Sequence, residues 1–383
     1  MIHSEWAVVV GSGLNALGVV RSLASEGVRV AVVSATATGP ALRSRFTAKQ
    51  VTQVNYSKLP CALRQLAEEI GGKPFLLLTE EEAVRVCSEA RNALAKDFRF
   101  RFGPHDVMMS LTHKEGVQAL NEQCGMPIPK AIRLRSSADF HALGGLRYPC
   151  ALKPGLKHAG YGEKFKKAYV VHSPNEAIRL FEEIAPTLPD LVVQEWIQGG
   201  DDSIYFCLQY IGVDGQAVAS FTGRKLRAWP PQIGGTASCT AATDAEHILG
   251  PLTTSFFRAV AFQGMGSIEY KRDERDGQFY VVEPTVGRTD FQEEVATLNG
   301  CNLPYAAFAY ECGIALPDGR QVPKTIWREP TTDRWSAQEQ GEHPDFKRDL
   351  VRDAFFRWND PVPWLALQWS RAMGSLQRRA HSP

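Results

Sequence analysis

Glu269 and Glu283 are the residues whose types and spacing point most directly at chemistry. They lie within GSIEYKRDERDGQFYVVEP, where strand-like runs from Ser267 to Lys271 and from Gln278 to Glu283 flank a charged turn ending at Gly277. A three-residue loop, Arg275-Asp276-Gly277 with glycine in the left-handed position, is a common hairpin closure and sets Glu269 opposite Glu283. Opposed residues of an antiparallel pair have Cβ atoms ~5 Å apart on one face, where like charges repel. A cation relieves that repulsion. Oxygen ligands on rigid strands suit Mg²⁺, which is held by one or two carboxylates together with substrate phosphates. The alternative is two solvated surface glutamates on a hairpin of different loop length.

A second group of residues has the chemistry of phosphate binding. Lys153 in PCALKPGLKHAGYGEKFKKAYVV ends a strand-like run, which directs its ammonium beyond the strand. The loop after it holds Gly155, Gly160 and Gly162, whose backbone amides can approach phosphate oxygens as an anion nest, with a lysine acting on phosphate as a point charge. The other reading is a basic surface loop with Lys157, Lys164, Lys166 and Lys167 solvated. His158 inside it is a candidate for the γ-phosphate or an exposed loop residue. Downstream, LVVQEWIQGGDD is an apolar strand entering a glycine turn with two acids. Main chain leaving such a strand can offer a carbonyl and an amide to an adenine edge, and Asp201 or Asp202 can accept from ribose hydroxyls. A hairpin turn with solvated aspartates is the alternative.

The elements that position these residues begin with a βαβ rhythm. Ala7 to Val10 reads as a buried strand, Leu14 to Glu26 as an amphipathic helix and Val28 to Val33 as a second strand, which implies a parallel sheet with a right-handed crossover. A helix from Cys61 to Ile70 and a strand from Pro74 to Leu78 continue the pattern to about residue 104. A helix follows from about Thr112 to Cys124, stopped by Gly125 and the GMPIP turn. Tyr148 to Val171 reads as strand, glycine loop, strand, and Asn175 to Ile184 as a helix. Strands dominate from Leu191 to Glu283, interrupted by a helix from about Pro251 to Phe262, and a helix near Glu293 to Asn299 closes this part. No internal repeat or low-complexity tract is present.

At the N-terminus VVVGSGLNALG carries Gly11, Gly13 and Ala16, close to a dinucleotide-binding turn. The acid that such a site needs ~20 residues on, for the ribose hydroxyls, is replaced by Ser34. A nicotinamide-dependent oxidoreductase is therefore the runner-up, and a close strand-to-helix turn in a Rossmann-like domain is preferred.

The totals narrow the class. A chain of 383 residues is long enough for two or three domains. Lys+Arg 43 against Asp+Glu 42 argues against an extended nucleic-acid surface. Eight cysteines, with no CxxC and no paired Cys/His spacing, indicate neither a zinc site nor a disulfide framework. No apolar run approaches the ~20 residues of a membrane span, and the start shows no leader pattern. The expectation is a cytoplasmic protein acting on small molecules, with a homo-oligomer left open. Five of the eight tryptophans, Trp327, Trp335, Trp358, Trp364 and Trp369, fall in the arginine-rich tail from about 313 to 383. That tail reads either as an amphipathic partner-binding or membrane-surface segment or, preferably, as aromatics packed back onto the body.

In its order Lys114, Lys153, glycine loop, QEWI, GRKLR, Glu269, Glu283 and Arg288, the chain resembles the ATP-grasp superfamily over about residues 105 to 310. Within it, the runs ALKP, VVQEWIQGGDD, FTGRKLRAWPP and DPVPWL look most like the predicted carboxylate-amine ligases. The resemblance implies an α/β chain with a Rossmann-like N-terminal domain at 1–104. An ATP-grasp core follows, its small subdomain at 105–190 and its large one at 191–312 sandwiching ATP, and a C-terminal extension spans 313–383.

The resemblance also implies roles. Lys114 and Lys153 contact the phosphates of ATP beneath the loop of Gly160 and Gly162. Gln194 and the backbones of Glu195 and Ile197 hold the adenine, and Asp201 or Asp202 the ribose. Glu269 and Glu283 hold Mg²⁺, and Arg224 or Lys225 faces the phosphoryl group in flight. One departure is visible: the usual Glu-x-Asn-x-Arg pattern is replaced by EPTVGR, with Thr285 at the asparagine position as a hydroxyl ligand and Arg288 one residue late. Arg288 is the candidate clamp for a carboxylate substrate, since guanidinium binds carboxylates in bidentate fashion.

The reaction implied is γ-phosphoryl transfer from ATP to a carboxylate, giving an acyl phosphate that an amine attacks, with ADP and phosphate released. A nucleotide-binding protein without catalysis is the third function class.

Overall fold

The computed structural model describes residues 4–112, 114–155, 165, 168–342 and 350–380. The chain divides into two compact units, one of Met1–Gly125, Gly200–Tyr270 and Val282–Pro383, the other of Met126–Gly199 and Lys271–Val281.

The first unit opens with β1 (Trp6–Val10), α1 (Leu14–Ser25), β2 (Arg29–Val33), β3 (Thr47–Val51), α2 (Leu59–Ile70) and β4 (Phe75–Leu78). Their strands form a parallel sheet in the order β3-β2-β1-β4, with Val10 level with Val33 on one side and Leu78 on the other. The unbroken valine run of β1 is buried, as parallel strands covered on both faces require. At Gly11, with φ of 120°, a Cβ would lie 2.1 Å from Thr79 Oγ1, so only glycine lets β1 turn so close to the end of β4. Helices α3 (Glu81–Glu89), α4 (Arg91–Asp97), α5 (His105–Thr112) and α6 (Lys114–Gln123) lead to the second unit.

The second unit holds β5 (Ala131–Leu134), β6 (Cys150–Pro154), β7 (Tyr169–Val171), α7 (Pro174–Ile184) and β8 (Leu191–Glu195). Its sheet is antiparallel, in the order β5-β8-β6-β7. Leu152, Val171, Phe181, Ile184, Leu191 and Val193 form part of its core. Ser173 starts α7 by accepting the Glu176 amide, with Pro174 at the first helical position.

The chain re-enters the first unit through β9 (Ile204–Ile211), β10 (Ala217–Trp229), β11 (Gly235–Ala241), α8 (Thr243–Ala259), β12 (Gly264–Arg272) and β13 (Phe279–Val286). It ends with α9 (Glu293–Leu298), α10 (Leu303–Cys312), β14 (Ile326–Arg328), α11 (Pro330–Glu339), β15 (Val351–Asp353) and α12 (Val362–Ala380). The strands make one sheet, β13-β12-β9-β10-β11-β14-β15. Val9, Val20, Phe75, Phe206, Phe221, Phe308 and Trp327 belong to one hydrophobic core, so the opening sheet and the large sheet share an interior.

Several expectations change. The boundary at residue 190 is displaced because β8 pairs with β5 and β6, which places Leu191–Glu195 in the second unit along with the hairpin tip 271–281. The helix placed at Pro251 to Phe262 begins eight residues earlier, at Thr243, and carries Pro251 inside it. Proline suits a first turn; here the Gly250 carbonyl before it takes bonds from Gln209 Nε2 at 2.9 Å and Thr254 Oγ1 at 3.1 Å. The C-terminal extension adds to the core, since its β14 and β15 join the large sheet beside β11. Trp327 packs back as expected, but Trp358 and Trp369 do not, at 90% and 71% exposure. All eight cysteines are free, five of them buried and Cys61 exposed. Among the described residues no helix is long and apolar enough to cross a membrane.

Candidate functional site

The long strand β10 carries Arg224 and Lys225, which as neighbours project to opposite faces of the sheet. Lys225 is 4% exposed, and its Nζ lies 2.8 Å from Oε2 of Glu269 on β12. Burial raises the Glu269 carboxyl above the usual carboxylate range, Lys225 pulls it down, and the charges of Glu283 and Asp290 push it up again. Glu283 thus acts on Glu269 through its charge. The turn differs from expectation: Asp273 N donates to Gln278 O at 2.8 Å and Gly277 N to Asp273 O at 2.7 Å, which makes the loop the four residues Glu274 to Gly277. Glu283 is exposed and Thr285 half-buried on β13, and their spacing of two places both on one face.

Just past β13, Arg288 Nη1 donates to Thr289 O at 3.1 Å and to Asp290 Oδ1 at 3.4 Å. The other Asp290 oxygen accepts from Ser267 Oγ on β12. Asn15 at the start of α1 fastens this loop: its Nδ2 donates to Thr79 O at 3.1 Å and Thr289 O at 2.7 Å, and its Oδ1 accepts from Thr289 Oγ1 at 2.7 Å. The glycine turn after β1 thus braces the loop that bears Arg288. The end of β2 supplies no acid there; Ser34 is buried and donates to Ser12 Oγ at 2.9 Å. Glu293 stands at the start of α9, 1% exposed, with burial and Asp290 pushing its carboxyl up to about 8.

Asn15, Asp290 and Glu293 were missed in sequence. The acid run TDFQEE after Arg288 was the visible signal for two of them, whereas Asn15 had none beyond its place after the glycines.

Asp201 also departs from expectation. It is 4% exposed and accepts from the amides of Ala228 at 2.8 Å and Gln232 at 2.6 Å and from Gln340 Nε2 at 3.1 Å. Its carboxylate fixes the end of β10, while Asp202 beside it is exposed.

In the second unit the structure brings Lys153 and Gln194 together, Lys153 Nζ donating to Gln194 Oε1 at 2.7 Å across β6 and β8. The Glu195 amide is taken by Lys130 O at 2.9 Å, so its main chain has only a carbonyl to offer a base. Its side chain accepts from Arg147 N at 2.9 Å and Arg147 Nε at 3.0 Å. Ile197 is buried. Lys114 is the first residue of α6, and its side chain lies outside the described part, as do His158, Gly160 and Gly162.

The donor set has the chemistry of a hard-cation site. Two carboxylates and a hydroxyl are oxygen ligands, and among the described residues Lys225 pairs with Glu269 and Arg288 with Asp290, while the charges of Glu283 and Asp290 raise the Glu269 carboxyl. Among the described residues no three His, Cys, Asp or Glu side chains converge as ligands.

No family model matches the sequence. No curated protein sequence matches it either. Solved structures do. N5-carboxyaminoimidazole ribonucleotide synthetase in its ADP complex matches with TM-score 0.59 at 13% identity, over 85% of this chain and 81% of that one. The biotin carboxylase domain of the 2-oxoglutarate carboxylase of Hydrogenobacter thermophilus, in complex with MgADP, ADP and bicarbonate, matches with TM-score 0.57 at 15% identity, over 85% and 74%. Phosphoribosylglycinamide synthetase from Anaerococcus prevotii matches with TM-score 0.60 at 11% identity, over 81% and 75%. With these neighbours and the motif order already described, the chain has the ATP-grasp fold.

Proposed function

We propose that the chain is an ATP-dependent carboxylate-amine ligase that makes an amide through an acyl phosphate and releases ADP and phosphate. The observation that carries this reading is the buried Lys225–Glu269 pair with Glu283 acting on it, in a fold whose solved neighbours include ADP- and MgADP-bound enzymes.

Glu269 and Glu283 would hold Mg²⁺, with the Thr285 hydroxyl as a third donor. The ion supplies charge neutralisation at the β- and γ-phosphates. Lys153 and Lys114, with Gly160 and Gly162, would hold the phosphates. Gln194, the Glu195 carbonyl and the Ile197 main chain would read the adenine, and Asp202 rather than Asp201 the ribose. Arg288, oriented by Asp290, would hold the substrate carboxylate while one of its oxygens bonds to the γ-phosphorus and the bond from that phosphorus to the ADP oxygen breaks. Lys225 rather than Arg224 faces the acidic group, so its ammonium is assigned to the phosphoryl group in transfer. The amine nitrogen then bonds to the acyl carbon, loses a proton, and phosphate departs with the carbon–oxygen bonding pair. Work on small molecules in a reducing cytoplasm agrees with eight free thiols.

The test is interception. Hydroxylamine added with ATP, Mg²⁺ and a panel of carboxylates should give a hydroxamate together with ADP and phosphate. AMP with pyrophosphate would mean adenylation instead, and a larger thermal shift with NAD than with MgATP would move the function to the glycine turn after β1.

A further inference from the structure

The tip of the β12–β13 hairpin, residues 271–281, belongs to the second unit, as does the chain that leaves β8. Two residues of that segment are held by the tip directly. Arg275 Nη2 donates to Trp196 O at 3.1 Å, and the Glu274 amide donates to Gln198 O at 3.2 Å. The Lys271 ammonium also lies over the Trp196 ring, 5.8 Å from its centre. Glu195 is reached through Arg147. The Arg147 amide and Nε donate to the Glu195 carboxylate, while its Nη1 donates to Asp276 Oδ2 at 2.6 Å and its Nη2 to Tyr280 OH at 2.9 Å.

Both guanidiniums are themselves aimed. Arg275 Nε lies 2.9 Å and 3.1 Å from the two oxygens of Asp273, which is fully buried and also takes the Arg275 amide at 3.0 Å. A guanidinium is a rigid planar fork, so one side chain sets several acceptors in a fixed geometry, which the single ammonium of lysine does not. The paired part of β8 ends at Glu195, and beyond it the sheet ladder no longer fixes the main chain. Reading the edge of a base demands more than that. The groups that bind a ligand must be held within about 0.5 Å of the productive geometry by neighbours that are themselves locked. Arg275 at the Trp196 carbonyl and Arg147 at the Glu195 carboxylate give that hold from both ends of one hairpin tip, through charge-assisted bonds that are stronger than neutral ones.

We propose that Arg147 and Arg275 are positioning residues for the nucleobase: they act through the main chain of 195–198, keeping it in the shape that selects adenine, and not on the phosphates. The inference rests on the reading of that segment as the adenine site. Calorimetric titration of the full chain separates base from phosphates. The double variant Asp273→Asn/Arg275→Met removes the fork without leaving a buried carboxylate unpaired. It should raise the Kd for MgADP about tenfold, the size of one lost hydrogen bond to a charged group, and narrow the preference for MgADP over MgGDP. Magnesium tripolyphosphate, which has no base, should bind it as it binds the parent. Arg147→Lys keeps a cation beside Glu195 but loses the fork, and should shift MgADP the same way by a smaller factor; it decides the matter if the double variant does not fold. Unchanged MgADP affinity overturns the proposal. So do equal losses for MgADP and tripolyphosphate, since the network would then serve the fold alone. A parent that does not bind MgADP at all would sink the adenine reading itself, and the positioning role with it.

Discussion

Lys225 Nζ and Glu269 Oε2 lie 2.8 Å apart, with the lysine side chain 5% and the glutamate side chain 19% exposed. A divalent ion at Glu269, as proposed, would compete with that ammonium for the same oxygen and so free the lysine for the phosphoryl group. Lys225→Met should therefore tighten binding of Mn²⁺ without nucleotide, read by electron paramagnetic resonance. It should also lower ATP turnover by about a hundredfold, the usual size of a lost transition-state donor. A lysine with a purely structural role would leave the Mn²⁺ affinity unchanged and move only the melting temperature.

The neighbouring aspartates should separate cleanly. Asp201→Ala leaves the amides of Ala228 and Gln232 without their acceptor and should cost about 2 to 6 kcal/mol in a urea titration, at about 1–3 kcal/mol for each buried group left unsatisfied. Asp202→Ala should leave the midpoint within about 0.5 kcal/mol and raise the KM for ATP several-fold. Interchanged effects would return the ribose role to Asp201.

The sequence showed the βαβ start because β1, β2 and β4 are short continuous apolar runs with a glycine turn between them, a pattern that depends little on distant residues. Glu269 and Glu283 could be read together because both lie on one hairpin, although the four-residue loop shifts the register assumed at its turn. Pairings made at a distance were hidden. Only register along the whole of β8 assigns Leu191–Glu195 to the second unit, and only the fold brings Asn15 to Thr289 across 274 positions of sequence. Asp201 and Asp202 are alike as letters; burial alone tells them apart.

The tail from 350 onward is held by charge as well as by Trp327. Arg21 on α1, 8% exposed, donates from Nε to Asp360 Oδ2 at 3.0 Å and from Nη1 to Ala354 O at 2.8 Å. Asp360, fully buried, also accepts from Ser44 Oγ at 2.9 Å and the Arg45 amide at 2.9 Å. Asp360→Ala removes the nearer of the two carboxylates at Arg21, leaving Glu294 at 3.7 Å, and should destabilise the protein by up to about 3–5 kcal/mol, the cost of removing one partner of a buried pair. Denaturant unfolding measures it, and a loss below about 1 kcal/mol would place the hold in the aromatic packing instead.

Glu293 should make stability depend on pH with a sign that can be checked. Its carboxyl is fully buried, its Oε1 has no hydrogen-bond partner among the described residues, and burial pushes it up to about 8. In the unfolded chain the same group titrates at about 4.3. Between those values the folded protein holds a proton that the unfolded chain has released, so the contribution is fully present below the lower value and is lost as pH rises to the higher one. The slope is at most about 1.4 kcal/mol per pH unit. Glu293→Gln keeps the shape of the neutral acid and removes its titration. Its stability relative to the parent should rise from about pH 5 to about pH 8 and level off above. Glu269, whose carboxyl is also raised, is common to both proteins and drops out of the difference. Urea midpoints measured across that range decide it: parallel curves for the two proteins would mean that Glu293 is ionised in the folded state.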